Sequence, residues 1–308
     1  MSLRLYEFLK LPEGKYIPFL GKYWYRFLCK KENEFIRKVS LPEQVLNTEK
    51  RDERIIVSLT SFPARIEKAY LAIKSIMLQE VKPDEIILWL SDKQFEGVGI
   101  PATLKELEEK GLQIKFCEDL RGHKKYFELV KAQRPNELIL TFDDDIIYPP
   151  DSIKKVIKYH KLYPNAIITN RGHEITFSKN GQINPHKQWK ISSSYSVKRP
   201  QKLTFVSTGS GILIPYNSLF EEVTDIDKIK KIALPIDDLW ITVMAILAQT
   251  DIVKTTRYHK TYTTVEGTQD FQLATENLLQ DGDHHDTVLQ ELIKAYPQLN
   301  ELLKKSRK

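Results

Sequence analysis

Cysteine is scarce in this chain of 308 residues: there are two, Cys29 and Cys117, far apart in sequence. That excludes a disulfide framework and makes a reducing cytoplasm the expected compartment. No apolar run approaches the ~20 residues that a membrane span requires, and charges interrupt the first apolar residues. Neither a membrane span nor a signal peptide is therefore expected. Internal repeats and low-complexity tracts are missing as well. What is present is ordinary for a soluble globular protein, with 41% hydrophobic and 29% charged residues. The length suits one large domain with appendages or two small domains.

The net charge of +6 sits at the ends. Residues 1–54 carry 12 Lys/Arg against 8 Asp/Glu, and the last five residues carry four bases and no acid. The middle is slightly acidic. This excludes a nucleic-acid groove through the core and leaves basic flanks able to meet something anionic. The N-terminal stretch "YEFLKLPEGKYIPFLGKYWYRFLCKK" interleaves aromatics with lysine and arginine. Such a mixture suits either an anionic membrane surface, with rings at headgroup depth, or a helical hairpin docked on the domain. Pro12, Gly14, Pro18 and Gly21 prevent one long amphipathic helix. Peripheral attachment to the inner face of the cell membrane is the alternative to a free cytoplasmic protein.

From Arg54 onward strands and helices alternate. "RIIVSLTSFP" (54–63), "DEIILWLSD" (84–92), "LQIKFCED" (112–119) and "LILTFDDDIIYPP" (138–150) predict four strands. Helical spacing predicts helices between them, through Ile66, Tyr70, Ile73 and Met77, then Leu104 and Leu107, then Tyr126, Phe127 and Val130. Ile153, Val156, Ile157 and His160 predict one more. This alternation implies right-handed crossovers and a parallel, doubly wound α/β sheet. After about residue 165 it stops. "TFVSTGSGILIP" (204–215) predicts a glycine-punctuated strand, and "LPIDDLWITVMAILAQ" (234–249) an acid-capped helix. A last helical segment starts at Asp286 and breaks at Pro297. Three regions follow: a basic aromatic extension (1–53), an α/β domain (54–280) and a helical tail (281–308).

The fourth predicted strand ends in Asp143, Asp144 and Asp145. Adjacent like charges repel, and a buried carboxylate needs a partner. The triplet is tolerable as a solvated turn or as a cation site, and its oxygens suit Mg2+ or Mn2+ rather than Zn2+. In doubly wound sheets ligands bind beyond the carboxyl ends of the strands, which is where the triplet lies. A metal there could neutralise the cluster and stabilise a departing diphosphate.

"LTFDDDIIYP" resembles the DXD motif of GT-A glycosyltransferases, and three further segments follow in that family's order. "VSLTSFPAR" resembles the opening strand and nucleotide-binding turn. "STGSGILIP" resembles the strand beside donor sugar and acceptor. "LPIDDLWITVMAIL" resembles the acidic pair that opens the base-carrying helix of inverting members. The likeness covers roughly residues 54–280 and is to family 2-like bacterial capsule, exopolysaccharide and lipopolysaccharide enzymes. It implies a GT-A, Rossmann-like fold and an Mn2+ or Mg2+ cofactor. It further implies a nucleotide-diphosphate sugar donor, a UDP-sugar first, and an oligosaccharide or lipid-linked glycan acceptor.

By the same resemblance Asp143 faces the nucleotide and also the metal, Asp145 is the metal ligand and Asp144 assists. Thr60, Ser61 and Arg65 would hold the nucleotide, joined by Arg121, Lys124 and Lys125 from "RGHKK" unless these merely open a helix. Gly209 and Gly211 would admit the donor sugar close to the backbone, or form a β-bulge. His259 would be a third metal ligand or a structural histidine. Asp238 would be the general base with Asp237 orienting the acceptor, since inverting transfer needs one carboxylate to take the hydroxyl proton. One acid would suffice to cap the helix. Trp240 could stack on a sugar or belong to the core. "DGDHHD" (281–286) looks metal-rich, although the family has no clear metal role there. Three alternatives remain. They are a retaining, exostosin-like transferase, a sugar-phosphate nucleotidylyltransferase, and a non-catalytic glycan-binding protein. The second predicts a glycine-rich loop after the first strand, where this chain has "TSFPAR".

Overall fold

The computed structural model describes residues 18–191, 193–256, 262–268 and 284–306. A helix, α1 (Pro18–Lys38), precedes a seven-stranded sheet. The sheet begins with β1 (Arg54–Thr60), α2 (Pro63–Met77), β2 (Glu85–Ser91), α3 (Ala102–Glu108) and β3 (Leu112–Cys117). A 3-10 turn at Arg121–Lys125 leads into α4 (Phe127–Lys131), β4 (Glu137–Phe142), a short β5 (Ile146–Ile147) and α5 (Ser152–His160). Then come β6 (Ile167–Thr169), β7 (Gly172–Glu174), β8 (Thr204–Val206), β9 (Ser210–Ile214), α6 (Asp237–Leu247) and β10 (Ile252–Lys254). The chain ends with β11 (Thr263–Thr264), α7 (His284–Ala295) and α8 (Gln298–Lys305).

The strand order is β10-β6-β9-β4-β1-β2-β3. All neighbours are parallel except β9, which runs antiparallel to both β4 and β6. The expected mostly parallel α/β sheet with helices on both faces is therefore present. Side chains alternate across it with the strand period of two. Ile55, Val57 and Leu59 of β1 join Ile86, Leu88 and Leu90 of β2 against α2, α3 and α5. On the other face Ile139, Ile212 and Ile214 pack against α6, α7 and α8. α6 is apolar all round because it lies inside this second layer, and every residue from Leu239 to Leu247 is buried.

One expectation changes. The single strand read over 204–215 is two strands of different sheets: β8 pairs with β7, and β9 enters the main sheet. The break falls at Ser207–Gly209, a turn that β9 needs to reverse into its antiparallel slot. The C-terminal part of α1 packs on the domain. Ile36 of α1 packs with Leu71, Ala72, Ile147 and Val265. The fully buried Asn33 donates to the Thr264 carbonyl (2.9 Å) and accepts from the Glu266 amide (2.9 Å), and Arg37 pairs with Glu266 at 3.2 Å. A buried amide that satisfies two backbone groups favours docking for this part of α1. No helix among the described residues is long and apolar enough to cross a membrane.

Candidate active site

The carboxyl ends of β1 and β4, the amino end of β9 and the first turn of α6 meet at one edge of the sheet. Two groups of acids converge there. In the first, Asp144 is buried and accepts from the Ser61 hydroxyl at 2.5 Å and from Arg65 Nη1 at 3.1 Å. The same Arg65 nitrogen lies 3.0 Å from Asp145 Oδ2. Arg65 sits in the first turn of α2, whose start is set by Pro63, so the strand-turn-helix geometry aims the guanidinium at the strand edge. Burial opposes the charge on Arg65, but Asp144 and Asp145 outweigh it and raise its pKa. Burial pushes Asp144 upward, against the pull of Arg65 and Ser61.

In the second group Asp237 and Asp238 open α6. Lys125, almost completely buried, reaches Asp143 Oδ1 at 2.8 Å and Asp237 Oδ2 at 3.0 Å. One ammonium thus ties the β4 acid to the α6 acids, residues far apart in sequence. Burial alone would lower the Lys125 pKa, but Asp143, Asp237 and Asp238 raise it well above the ordinary lysine value. Thr208 completes the group: its amide donates to Asp238 Oδ1 at 2.7 Å, and its hydroxyl contacts Asp238 and, at 2.8 Å, Asp237. The two neighbours titrate in opposite directions. Asp237 is lowered, since the charge of Lys125 and the hydrogen bonds from Lys125 and Thr208 overcome the effect of its burial. Asp238 is pushed up to about 7 by burial and by the charge of Asp237.

Close backbone approach makes this packing possible. A Cβ on Gly209 would lie 1.6 Å from Asp143 Oδ2, and one on Gly122 would lie 2.8 Å from Asp237 Oδ1. Only glycine fits at either place. Beneath them, buried His123 donates from Nε2 to the Ala233 carbonyl (2.9 Å) and accepts at Nδ1 from the Tyr126 hydroxyl (2.5 Å). Burial lowers the His123 pKa and keeps the ring neutral. Tyr148 accepts from the Asp143 amide at 2.7 Å and donates to the Gly209 carbonyl at 2.5 Å, which locks the β4 tip to the β9 turn.

Several residues expected at the site are elsewhere. Thr60 donates to the Trp89 carbonyl at 2.9 Å and ties β1 to β2. Lys124 turns away to Asp119 at 2.8 Å, because successive residues of a 3-10 turn point a third of a turn apart. The Arg121 amide bonds Asp119 as well. Gly211, at φ +87°, lies where β4 and β9 slip register, and a Cβ would meet the Phe142 ring at 2.8 Å; this is the bulge reading. Trp240 is a core residue whose indole donates to the Val223 carbonyl at 2.9 Å. Ser61 and Arg65 hold carboxylates instead of pointing freely at a ligand. His259 and residues 281–283 of the acidic-histidine run lie outside the described residues. Thr208, Gly122, His123 and Tyr148 join the site without having been singled out by sequence, although each lies in a run that was, "STGSGILIP", "RGHKK" or "LTFDDDIIYP".

Among the described residues no group of three or more His, Cys, Asp or Glu side chains is arranged to hold a metal. The donor chemistry still fits Mg2+ or Mn2+, which bind through one or two carboxylates and complete their shell with water and substrate phosphates. Asp143, with its side chain 37% exposed, and Asp145 are the residues that would hold such an ion.

No protein-family model matches the chain, and no curated protein does. Its fold is similar to that of several solved structures. Mannosyltransferase PcManGT from Pyrobaculum calidifontis, in complex with GDP-Man and Mn2+, is 11% identical with a TM-score of 0.44. That match covers 92% of this chain and 81% of that one. S. aureus TarS (residues 1–349) is 15% identical with a TM-score of 0.40, over 80% of this chain and 73% of that one. A 4-diphosphocytidyl-2C-methyl-D-erythritol synthase from Anaerococcus prevotii is 18% identical with a TM-score of 0.30. The alignment takes in 43% of this chain and 63% of that one, so this chain spans less than two thirds of its length. These are likenesses of shape, and the functional argument rests on the residues above.

Proposed function

We propose that the protein is a glycosyltransferase that moves a sugar from a nucleotide-diphosphate donor to a hydroxyl of a glycan or lipid-linked acceptor, with inversion. The observation that carries this reading is the Lys125 bridge, which holds a strand-end carboxylate and a helix-start acid pair in one cluster. Asp143 and Asp145 form the donor side, where a divalent ion would bind and stabilise charge on the leaving diphosphate. Asp238 is the base. It accepts the proton of the acceptor hydroxyl as the oxygen–anomeric-carbon bond forms and the carbon–phosphate-oxygen bond breaks, releasing the nucleoside diphosphate. Asp237 stays ionised beside Lys125, keeps the Asp238 pKa near neutrality and so leaves it a strong enough base to act. A role in bacterial surface-polysaccharide assembly is part of this proposal.

The deciding experiment is a thermal-shift and calorimetric screen of UDP-, GDP- and dTDP-sugars with Mn2+ and then with EDTA. Stabilisation by one sugar nucleotide, lost on chelation, is the expected result. Indifference to every nucleotide sugar would sink the proposal. Pyrophosphate release from a nucleoside triphosphate and a sugar phosphate would replace it with nucleotidyl transfer, and product anomericity by NMR separates inversion from retention.

A further inference from the structure

The helix α1 has two unlike faces. The inner one is fixed to the domain: Asn33 and Ile36 are buried, and Lys74 of α2 donates to the Arg37 and Val39 carbonyls at 3.3 and 2.8 Å. At about 100° per residue, Phe27 and Lys38 lie opposite Ile36, with Lys30 and Lys31 beside them and Phe35 at the margin. This outer face is open. Phe27 is 46% and Phe35 38% exposed, two of the seven large apolar side chains exposed among the described residues. Arg26, Lys30 and Lys38 are exposed too, and none of the three is in an ion pair among the described residues. Lys31 pairs with Glu34 at 3.1 Å and lies over the Phe27 ring, 5.9 Å from its centroid.

Charge and rings together select the occupant. Residues 26–38 hold five bases against Glu32 and Glu34. The turns before Arg26 continue the composition, with Phe19, Tyr23, Trp24 and Tyr25 beside Lys22. Exposed rings among surplus cations suit a surface that is anionic outside and apolar beneath, which is a bilayer with acidic headgroups. Lysine stems lie along apolar surface while their ammonium groups reach phosphate. A dissolved polyanion would satisfy the cations and leave Phe27 and Phe35 in water. The helix is too polar to cross a membrane, so it would lie in the plane of the interface. It is also tied to the acid edge. Asn33 bonds the Thr264 carbonyl and the Glu266 amide, on either side of Val265, whose own amide donates to the Asp145 carbonyl at 2.8 Å. A surface that holds α1 therefore fixes the orientation of the aspartate triplet relative to itself.

We infer that the outer face of α1 docks the protein on a membrane surface rich in anionic phospholipid. The inference stands apart from the reaction assigned to the acid edge. It is tested by sedimenting the full chain with phosphatidylcholine vesicles, with and without phosphatidylglycerol. Binding is expected only where phosphatidylglycerol is present, and added salt should weaken it. Lys30→Gln combined with Lys38→Gln should weaken it about thirtyfold, and Phe27→Ser combined with Phe35→Ser about tenfold. All four side chains are exposed, so the melting temperature should stay that of the parent, and the salt series needs no variant. No sedimentation with anionic vesicles, equal binding to neutral ones, or binding indifferent to both variants overturns the surface. Loss in the lysine variant with none in the phenylalanine variant also overturns it and leaves a polyanion site. Sugar-nucleotide binding, measured by calorimetry and unchanged in both variants, separates failure of this surface from failure of the transferase reading.

Discussion

Two pairs of adjacent aspartates share this sheet edge, and they are held in opposite ways. Asp144 and Asp145 face one guanidinium, Arg65, which meets both. Asp237 and Asp238 face one ammonium, Lys125, bonded to Asp237 and Asp143 but not to Asp238. Sharing a cation evenly steadies both members of a pair; sharing it unevenly splits one. The first arrangement makes a rigid anionic platform. The second leaves Asp238 with a hydroxyl and an amide for partners and a pKa near neutrality, which is the condition for a base.

The comparison breaks most severely at Asp238. Asp238→Asn should lower turnover about a thousandfold, within the range of a lost general base, while donor binding by calorimetry is retained. Comparable turnover in the variant would show that Asp238 is not the base. Next, Arg65→Met strands a buried carboxylate and should cost about 3 kcal/mol in denaturant unfolding. Lys125→Met should cost less, about 2 kcal/mol, because Asp143 is more than a third exposed and is relieved by water. If the lysine variant proves the less stable, the platform and the split pair have been assigned the wrong way round. Gly209→Ala should sharpen the distinction, since the atoms nearest its methyl are those of the Asp143 carboxylate. Donor affinity should fall about tenfold with little change in melting temperature, an effect read by calorimetry and thermal shift.

The pH dependence is the most specific effect. Turnover should rise tenfold per pH unit and level off above about 7, as Asp238 loses its proton. Its stability effect has the opposite sign. A carboxyl whose folded pKa is raised favours folding when protonated, so stability is lost as pH rises from the ordinary aspartate range towards 7. Asp237, whose pKa is lowered, adds stability above that range and loses it as pH falls. Asp238→Asn should therefore gain melting temperature over the parent between pH 4 and 7 while losing turnover. A constant difference across that range would show that Asp238 titrates normally.

Much of this edge was legible in residue order. The apolar runs ending at Thr60 and Phe142 and the helix opening at Asp237 lie close to where periodicity put them. So does the triplet at the strand edge, because a strand of period two and a helix of period 3.6 are properties of short segments. Less legible was the chain after residue 165, where local pattern is weak and short strands take their places only by pairing with distant ones. The break between β8 and β9 belongs to this kind, and the turning aside of Lys124, earlier in the chain, has the same cause. In each case a side chain's direction depended on what packed beside it.

Residue order by itself determined the parallel half of the sheet, the acids at its edge and the acid pair at the start of α6. Only the folded chain decided that Lys125 joins the two acid groups, that Thr208 supports Asp238 and that Gly209 and Gly122 let backbone press against carboxylates. The reason is that hydrogen bonds and ion pairs act over a few ångströms, and contacts between residues far apart in the chain leave no local pattern to read.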